Sequence, residues 1–345
     1  FGAVLGSTPG SQVDTYGFSF GGATSAENTY IVEGINTTDT AYGLQSSNLP
    51  NEFVGETEVI TGGYQAEFGR ATGGVINVVT KQGSNEFHGS VFGYFTPGAL
   101  VAEAKGIAAE GSAIDTETNL DYTTDFGAEI GGPIIKDKLW FHVGFNPSFN
   151  KTTTDRIIAK AIDMDGDGVG DVDEETGFGI TEEVARTAIP RTRRTMFFTA
   201  KVNGALSQNH QYQISAFGNP TSYNELFGVT RNPEFTRFKQ DDGAYDLAGK
   251  WTSKFADGKL QVDAVLGFHR GYEDQRPFES GQDVPLVFYR FGTPLSTYTD
   301  LEPTLGAGGV AEGECDVDAN TGFDPCTVQN YEGQGYCFFE KRTND

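Results

Sequence analysis

The residues whose types and spacing suggest chemistry form an acidic run, DMDGDGVGDVDE, at positions 163–174. Alternating carboxylates with a glycine in sixth place supply the hard oxygen ligands and the sharp turn that wrap a calcium ion. The predicted ligands are the side chains of Asp163, Asp165, Asp167, Asp171 and Glu174 and the carbonyl of Val169. A solvated acidic loop is the competing interpretation. The flanking helices of an EF-hand are weakly indicated, since only residues 181–185 look like a capped helix start.

Three cysteines, Cys315, Cys326 and Cys337, follow one another at equal spacing in the last part of the sequence. Their spacing fits no metal-ligand pattern, so we expect one disulfide among them and an oxidising compartment. The equal spacing does not decide which two cysteines pair. Residues 316–324 have partial calcium-ligand spacing and no terminal glutamate, which favours a disulfide-flanked acidic loop in an outer region over a second metal site.

A possible catalytic motif occurs at residues 17–21, where GFSFG matches the G-x-S-x-G pattern of hydrolases with Ser19 as nucleophile. That motif needs a helix after it, whereas a Gly- and Ser-rich, strand-like stretch follows. The four histidines are scattered singly, without metal-ligand spacing. We therefore predict that the protein is not an enzyme and keep a hydrolase as the most remote alternative.

The composition indicates strands and excludes nucleic acid as a partner. The formal net charge of −24 is opposite to the basic surface that nucleic acid requires. The 46 glycines, 27 phenylalanines and 14 tyrosines favour strands and turns over helices. No apolar run approaches the roughly 18 residues of a membrane-spanning helix.

From residue 86 onward, apolar and polar residues alternate with the period of a strand. The alternation occupies seven segments: 86–95, 122–131, 141–146, 198–203, 211–216, 245–251 and 260–269. Short connections (135–138, 207–210 and 256–259) alternate with long ones (about 96–120, 151–194, 219–243 and from 279 on). Outer-membrane barrels sort short periplasmic turns from long outer loops, whereas a soluble sandwich has no reason to do so. The pattern predicts apolar side chains toward lipid and polar side chains toward the barrel lumen.

Residues 20–95 resemble the plug domain of TonB-dependent outer-membrane receptors, and most closely that of the Oar-like branch. The resemblance is carried by AENTYIVEGINTTD at 26–39, ETEVITGGY at 56–64 and AEFGRATGGVINVVTK at 66–81. The last stretch, with the GSN and FHG that follow it, matches a long signature of that branch. The turn before Gly73 is shorter than in siderophore-type plugs, which argues against a siderophore as the ligand.

The resemblance implies an all-β chain in two parts. Residues 1–85 would form the C-terminal part of a plug domain, and residues 86–345 the first seven strands of a large antiparallel transmembrane β-barrel, here incomplete. The plug glycines would let its turns pass close to the barrel wall. Glu67 and Arg70 are expected among the plug–barrel polar contacts; a solvated turn pair of little consequence is the alternative.

The function implied by this resemblance is that of a receptor or transporter in the outer membrane of a Gram-negative bacterium. It would take up, or pass, a bulky extracellular ligand with energy from the TonB complex, through a segment expected outside these 345 residues. Outer-membrane lipid, the TonB complex and an unknown ligand are the predicted partners, with Ca²⁺ as a structural cofactor in an extracellular loop. The alternative is a calcium-binding β-sandwich adhesin, secreted or anchored at the cell surface.

Overall fold

The computed structural model describes residues 2–15, 17–64, 71–102, 113–226, 237–278 and 314–328, and the short stretches 289–290, 293–294, 331–332 and 340–344. Within these residues strands dominate, and helix is limited to α1 (Gly2–Ser7) and to single 3₁₀ turns at Ser25–Glu27, Asn51–Phe53 and Gly98–Leu100. No helix in the described ranges is long and apolar enough to cross a membrane. Glu67, Arg70 and Cys337 lie outside the described residues, so their roles stay predictions.

The N-terminal region is built around a four-stranded sheet, which we call the plug sheet. After the hairpin β1 (Ser11–Val13) and β2 (Phe18–Phe20) come its strands β3 (Thr29–Val32), β4 (Ile35–Asn36), β5 (Val54–Ile60) and β6 (Val75–Thr80), in the spatial order β4-β3-β6-β5. β3 and β6 are parallel, and the other two pairs are antiparallel. The inner strand β6, VINVVT, carries apolar side chains on both faces because both faces are covered.

A nine-stranded antiparallel sheet, which we call the wall sheet, follows. Its first strands are β7 (His88–Pro97), β8 (Ile114–Ile135), β9 (Leu139–Ala161), β10 (Thr181–Ser207), β11 (His210–Gly218), β12 (Thr221–Leu226), β13 (Arg237–Phe255) and β14 (Leu260–Pro277). Two small ladders then pair β15 (Tyr289–Arg290) with β18 (Tyr331–Glu332) and β16 (Thr293–Pro294) with β17 (Thr327–Val328). The last strand of the wall, β19 (Glu340–Asn344), pairs with β14.

β11 and β12 form one wall strand with an interruption at Asn219 and Pro220. Both segments lie between β10 and β13 and pair with each of them. Pro220 has no N–H to give to the ladder, so the regular pairing stops there. Gly243 on β13 faces the interruption with a φ of +129°, and a Cβ at this position would lie 2.4 Å from the Asn219 carbonyl oxygen. The interruption therefore has the character of a bulge, which bends a strand and redirects its side chains.

The seven strands predicted from the alternation are confirmed, but they are longer than the alternating segments. β9 continues to Ala161 and β10 begins at Thr181, so much of the predicted 151–194 connection is a strand hairpin that extends beyond the regular wall. The predicted helix start at residues 181–185 is wrong. These residues pair with the end of β9, from Thr181 opposite Ala161 onward, and the cross-strand ladder overrides a weak local capping signal.

The wall sheet has the inside-out polarity that the sequence predicts. On β9, Val143 and Phe145 are 40% and 53% exposed on the outer face, whereas His142 and Asn146 are 0% and 3% exposed on the inner face. The same arrangement recurs on the other wall strands. Outward apolar side chains include Val91, Phe126, Ile130, Ile214, Leu247, Trp251, Leu266 and Phe268, and buried inward polar ones include Glu129, Thr199, Lys201, Ser215, Asp246 and Ser253. An apolar outer belt over a polar lining is the pattern of a barrel in lipid.

The inner face of the wall sheet packs against the plug sheet. The hydrophobic core of the plug, formed by Leu5, Phe20, Tyr30, Val32, Ile35, Leu49, Ile76 and Val78, also includes Phe217 of β11 and Ala248 of β13. Glycines on the inner face of the wall leave space into which plug side chains pack. A Cβ at Gly144 would lie 2.5 Å from the Phe53 ring, and one at Gly267 would lie 2.1 Å from Ile35. The plug is therefore seated directly on the wall.

The predicted close approach of plug glycines to the wall is wrong for Gly73 and Gly74. A Cβ at Gly73 would meet Asn28, at 2.7 Å, and one at Gly74 would meet Phe20, at 2.6 Å, and both partners belong to the plug itself. Asn28 explains the tight fit, because its Oδ1 accepts a hydrogen bond from the Gly74 N–H at 2.7 Å. These glycines therefore allow the plug to pack on itself.

Candidate functional site

A buried contact between plug and wall is made by Glu33, in the tight turn between β3 and β4. Glu33 is 0% exposed and has a φ of +54°, a left-handed conformation that is uncommon and costly for a residue other than glycine. Its Oε1 accepts hydrogen bonds from the Thr80 N–H at 2.6 Å and the Thr80 hydroxyl at 2.8 Å. The same oxygen lies 2.7 Å from Nζ of Lys201, a buried residue of β10. Plug and wall are thus joined by a buried ion pair.

The second carboxylate oxygen of Glu33 reaches two more wall strands. Oε2 accepts hydrogen bonds from the Gln213 amide and, at 3.5 Å, from the Ser215 hydroxyl, both on β11. Nζ of Lys250, on β13, lies 3.7 Å from the same oxygen. We call Glu33, Thr80, Lys201, Gln213, Ser215 and Lys250 the Glu33 cluster. It ties one plug residue to three consecutive wall strands.

The charge of Glu33 is stabilised in this setting. Burial by itself would raise the pKa of Glu33, but the nearby Lys201 charge, the hydrogen bonds from Lys201 and the Thr80 N–H, and the Lys250 charge together hold that pKa below its ordinary value. Lys201 also donates to the Thr80 carbonyl at 2.7 Å. Removing one partner of such a buried pair typically costs about 3–5 kcal/mol, because the other charge is left without compensation.

A second link between plug and wall centres on Glu129 of β8. Its Oε1 lies 2.6 Å from Nζ of Lys81, just after the plug sheet, and accepts a hydrogen bond from Ser90 at 3.1 Å. Its Oε2 lies 3.2 Å from Nε2 of His142 on β9. His142 is a polar residue of the alternating segment 141–146, for which the sequence predicts a lumen position, and the structure shows this carboxylate as its partner.

A third link joins the plug to β13 and β14. The Ser47 hydroxyl donates to Oδ2 of Asp246 at 2.6 Å, and Oδ1 of Asp246 lies 2.6 Å from Nδ1 of His269. Here too a wall carboxylate bonds both to the histidine of the neighbouring strand and to a plug residue. Alongside its apolar packing on the wall, the plug is therefore held by several separate polar links.

A chamber of about 790 Å³ lies between the plug and the half of the wall near the long connections. Its plug side is formed by the loop of residues 39–48, and its wall side by residues of β9, β10, β12, β13 and β14. The charged and aromatic lining residues are Asp39, Tyr42, Arg193, Phe197, Asp242, Tyr272 and Glu273. This volume falls within the roughly 300–1,000 Å³ that is usual for small-molecule sites. The chamber is a candidate ligand site.

The predicted calcium loop occupies the tip of the β9–β10 hairpin. The carboxylate oxygens of Asp163, Asp165 and Asp167 lie within 4.8 Å of one another, as three ligands of one ion would. Asp171 instead accepts a hydrogen bond from the Met164 N–H at 2.5 Å, and Glu174 is not in this group among the described residues. The loop is flanked by strands and not by the helices of an EF-hand. Among the described side chains, the structure thus groups the first three predicted ligands.

A disulfide joins Cys315 to Cys326 in the described stretch 314–328. This stretch packs on the acidic hairpin tip, where the Ala161 N–H donates to the Pro325 carbonyl at 2.6 Å and Lys160 pairs with Glu314. The two acidic regions that the sequence shows far apart are therefore neighbours.

The hydrolase motif does not form a nucleophile elbow. Ser19 lies inside β2, is largely buried, and donates to the Gln12 carbonyl of the partner strand at 3.4 Å. An elbow would place this serine on an exposed turn between a strand and a helix.

Comparison with known proteins agrees with this architecture. A family model described as an outer membrane beta barrel domain matches residues 79–167. The TonB-dependent transporter Oar of Myxococcus xanthus is 41% identical over 279 residues, which is 76% of this chain and 26% of that protein. The chain belongs to the TonB-dependent outer-membrane receptors. It is Oar-like, as its plug signature predicts, and its place is the outer membrane of a Gram-negative bacterium.

Two further similarities define how far the likeness extends. The probable TonB-dependent siderophore receptor PirA of Acinetobacter baumannii is 33% identical over 113 residues, 32% of this chain and 12% of that protein. The crystal structure of the outer membrane transporter YddB from Escherichia coli superposes with a TM-score of 0.52 at 14% identity, covering 92% of this chain and 37% of the other, which shows a shared fold. The chain spans about a quarter of the length of Oar. These comparisons do not favour the adhesin alternative.

The sequence did not single out the Glu33 cluster. One usable signal was Glu33, an acidic residue directly before Gly34 in the turn between two short apolar segments. In a soluble hairpin such a turn would face water. The other was Lys201 on the inward face of a predicted barrel strand, where a cation needs a counter-charge. Pairing these two residues required the three-dimensional placement of the plug.

Proposed function

We propose that the whole protein takes up, or passes, a bulky extracellular ligand across the outer membrane as a TonB-dependent receptor. The observation that carries this proposal is the plug seated on the wall through separate polar links, foremost the Glu33 cluster. A lumen closed by such a plug needs mechanical work to open, and links that break one after another limit the force needed at each step. The TonB complex would supply that work.

The ligand in this proposal enters from the side of the long connections. The chamber between the 39–48 loop and the wall lies on that side. A ligand bound there touches the plug and the wall at once, so its binding energy can change how firmly the two are held together. Lipid of the outer membrane is the partner of the apolar outer face.

A calcium ion at the tip of the β9–β10 hairpin belongs to the same proposal as a structural cofactor. The support is the close grouping of three carboxylates, together with positive φ values at Gly166 and Gly168 that let the loop turn around them. A bound cation would offset their mutual repulsion and hold the hairpin tip in one conformation.

A reversible tether tests the transport proposal. Ser47 and Asp246 touch across the plug–wall interface, so the full-length receptor with Ser47→Cys and Asp246→Cys is expected to form a disulfide there. Mass spectrometry identifies the compounds that wild-type cells remove from a complex medium. These compounds should remain in the medium of oxidised tethered cells and of cells lacking TonB. Reduction of the tether should restore depletion, and the two single-cysteine variants are the matched controls. Equal depletion by oxidised and reduced cells would overturn a transport role that requires plug movement.

A further inference from the structure

Two carboxylates face each other across the chamber wall. Asp242 of β13 is paired directly with Glu273 of β14, and both line the chamber. Like charges placed opposite each other on antiparallel strands destabilise a sheet. The Gln240 amide lies between them, donating to Asp242 at 3.3 Å and to Glu273 at 3.1 Å. Arg193 lies close enough to Asp242 to interact with its charge, so the wall sets two acids beside one cation here.

The other charged groups of the lining leave an acidic excess. Asp39 is a third carboxylate, and its Oδ1 accepts the N–H groups of Ala41 and Tyr42 at 2.8 and 2.7 Å. Among the described lining residues the one permanent cation is Arg193, whose guanidinium also lies over the Tyr223 ring, 4.6 Å from its centroid. A concave site lined by one sign of charge concentrates ligands of the opposite sign.

An independent observation comes from the bulge in the wall. Asn219 lines the chamber and is only 9% exposed, and its Oδ1 has no hydrogen-bond partner among the described residues. A buried acceptor without a donor costs free energy, which a ligand N–H can recover. Asn219 therefore calls for the same kind of group, a donor, as the acid pair does.

We propose that the chamber binds an organic cation rich in N–H donors, namely a peptide with lysine or arginine side chains. Its ammonium or guanidinium groups would pair with Asp242 and Glu273 from the chamber, and Tyr42 and Phe197 offer aromatic faces for cation–π contact. At about 790 Å³ the chamber is far larger than a single metal ion requires. An anionic chelate would meet repulsion from the same acids. This inference rests on the proposed function and names the ligand class of that receptor.

The neighbouring residue pair supplies a matched control. Asp241 and Asp274 are also directly opposed, one position along the same two strands, but they lie on the other face and contact Arg276. We compare the detergent-solubilised full-length receptor, the inner pair Asp242→Asn with Glu273→Gln, and the outer pair Asp241→Asn with Asp274→Asn. The probes are a fluorescent tri-arginine peptide and a tri-glutamate peptide with the same label, and thermal melting checks the fold of each variant.

The expected result is binding of tri-arginine, and not of tri-glutamate, that weakens at least tenfold in the inner pair and stays within about twofold in the outer pair. Should the inner double variant fail to melt cooperatively, Glu273→Gln alone serves in its place. No tri-arginine binding by the wild type, equal binding of tri-glutamate, or equal loss in both pairs would overturn the inference. The disulfide-tether experiment tests the proposed function separately. If depletion of the medium depends on the tether but tri-arginine does not bind, the transport function stands and the cationic ligand class is wrong.

Discussion

At the scale of single residues, Glu33 joins several features that are each unfavourable in isolation. It is buried, it is charged and its backbone has a positive φ. Asn tolerates this backbone conformation better than Glu and carries no charge. The carboxylate is explained by the wall, which presents the Lys201 ammonium at 2.7 Å. The ion pair fixes where the plug sits more than it adds stability, since buried pairs often do little better than apolar replacements.

Replacing Glu33 alone should loosen the plug, and replacing both partners should largely restore it. In Glu33→Gln the Lys201 charge stays buried without a counter-charge, at a cost of about 3–5 kcal/mol, whereas Glu33→Gln with Lys201→Met removes both charges. The measurement is the frequency of channel openings of the full-length receptor in planar bilayers at a fixed, sub-denaturing urea concentration. Glu27→Gln is the control, because this plug residue is bonded within the plug, to Thr24 and Thr72. Equal opening frequencies in Glu33→Gln and wild type would contradict a role in seating the plug.

The pH dependence of plug seating follows from the lowered pKa of Glu33. A carboxylate with a depressed folded-state pKa contributes its stabilisation fully above its ordinary value of 4.5 and loses it as the pH falls through the lower folded value. The difference in channel-opening frequency in urea between wild type and Glu33→Gln should therefore be constant around neutral pH. It should disappear only below about pH 4.5. A difference that disappeared between pH 8 and pH 6 would show that a titrating side chain other than Glu33 controls plug seating.

At the scale of elements, the β9–β10 hairpin shows what alternation in a sequence can and cannot predict. Period-two alternation located seven wall strands and their outward faces, because lipid on one side and a polar interior on the other impose it. It did not locate β12 or β19, which lie in the predicted long connections. The strand extensions were missed because residues 151–161 and 181–194 mix polar and apolar residues without regular alternation. These residues form a ladder because a partner strand is present. The local helix-start signal at residues 181–185 was weaker than the hydrogen bonding to the partner strand.

The hairpin tip should depend on calcium in its resistance to proteolysis. In Asp163→Ala with Asp167→Ala, two of the three grouped carboxylates are lost, so the 162–180 loop should be cut by protease on intact cells even with calcium present. Wild type treated with a chelator should be cut in the same place, and Ca²⁺ but not Mg²⁺ should reverse this. Asp173→Ala is the control, since Asp173 caps its own turn through the N–H and hydroxyl of Thr176, both at 2.7 Å. Cleavage indifferent to calcium would leave only a solvated acidic loop.

At the scale of the whole molecule, the architecture was predictable and the contacts between its two parts were not. Alternation, loop sorting and the plug signature together predict a plug followed by wall strands. The contacts between plug and wall join residues far apart in the chain. They are the Glu33 cluster, the Ser47–Asp246 hydrogen bond, and the packing of Phe53 on Gly144 and of Ile35 on Gly267. Each needs a specific rotation of the plug inside the wall, and no local pattern encodes that rotation.

The orientation of the wall predicts which connections are reachable from outside the cell. With Cys337 replaced by serine, single cysteines at Asn209 and Asp257, in the short turns, should react with a membrane-impermeant maleimide only after the outer membrane is opened. Cysteines at Asp173 and Gly322, near the hairpin tip and its neighbouring disulfide loop, should react on intact cells. The mass of the labelled receptor is the readout. Labelling of all four sites on intact cells would be incompatible with this orientation.

The strict alternation of the wall strands also bears on how this chain can change length during evolution. Losing one residue from β10 between its turn and Lys201 would carry that lysine to the lipid face and bring Ala200 or Val202 toward Glu33, because side chains switch face at every position. Losing two residues would keep every face. Insertions and deletions within the wall strands of related chains should therefore come in even numbers. The interruption at Asn219 and Pro220, where the ladder is already broken, is the place where a single residue can be absorbed.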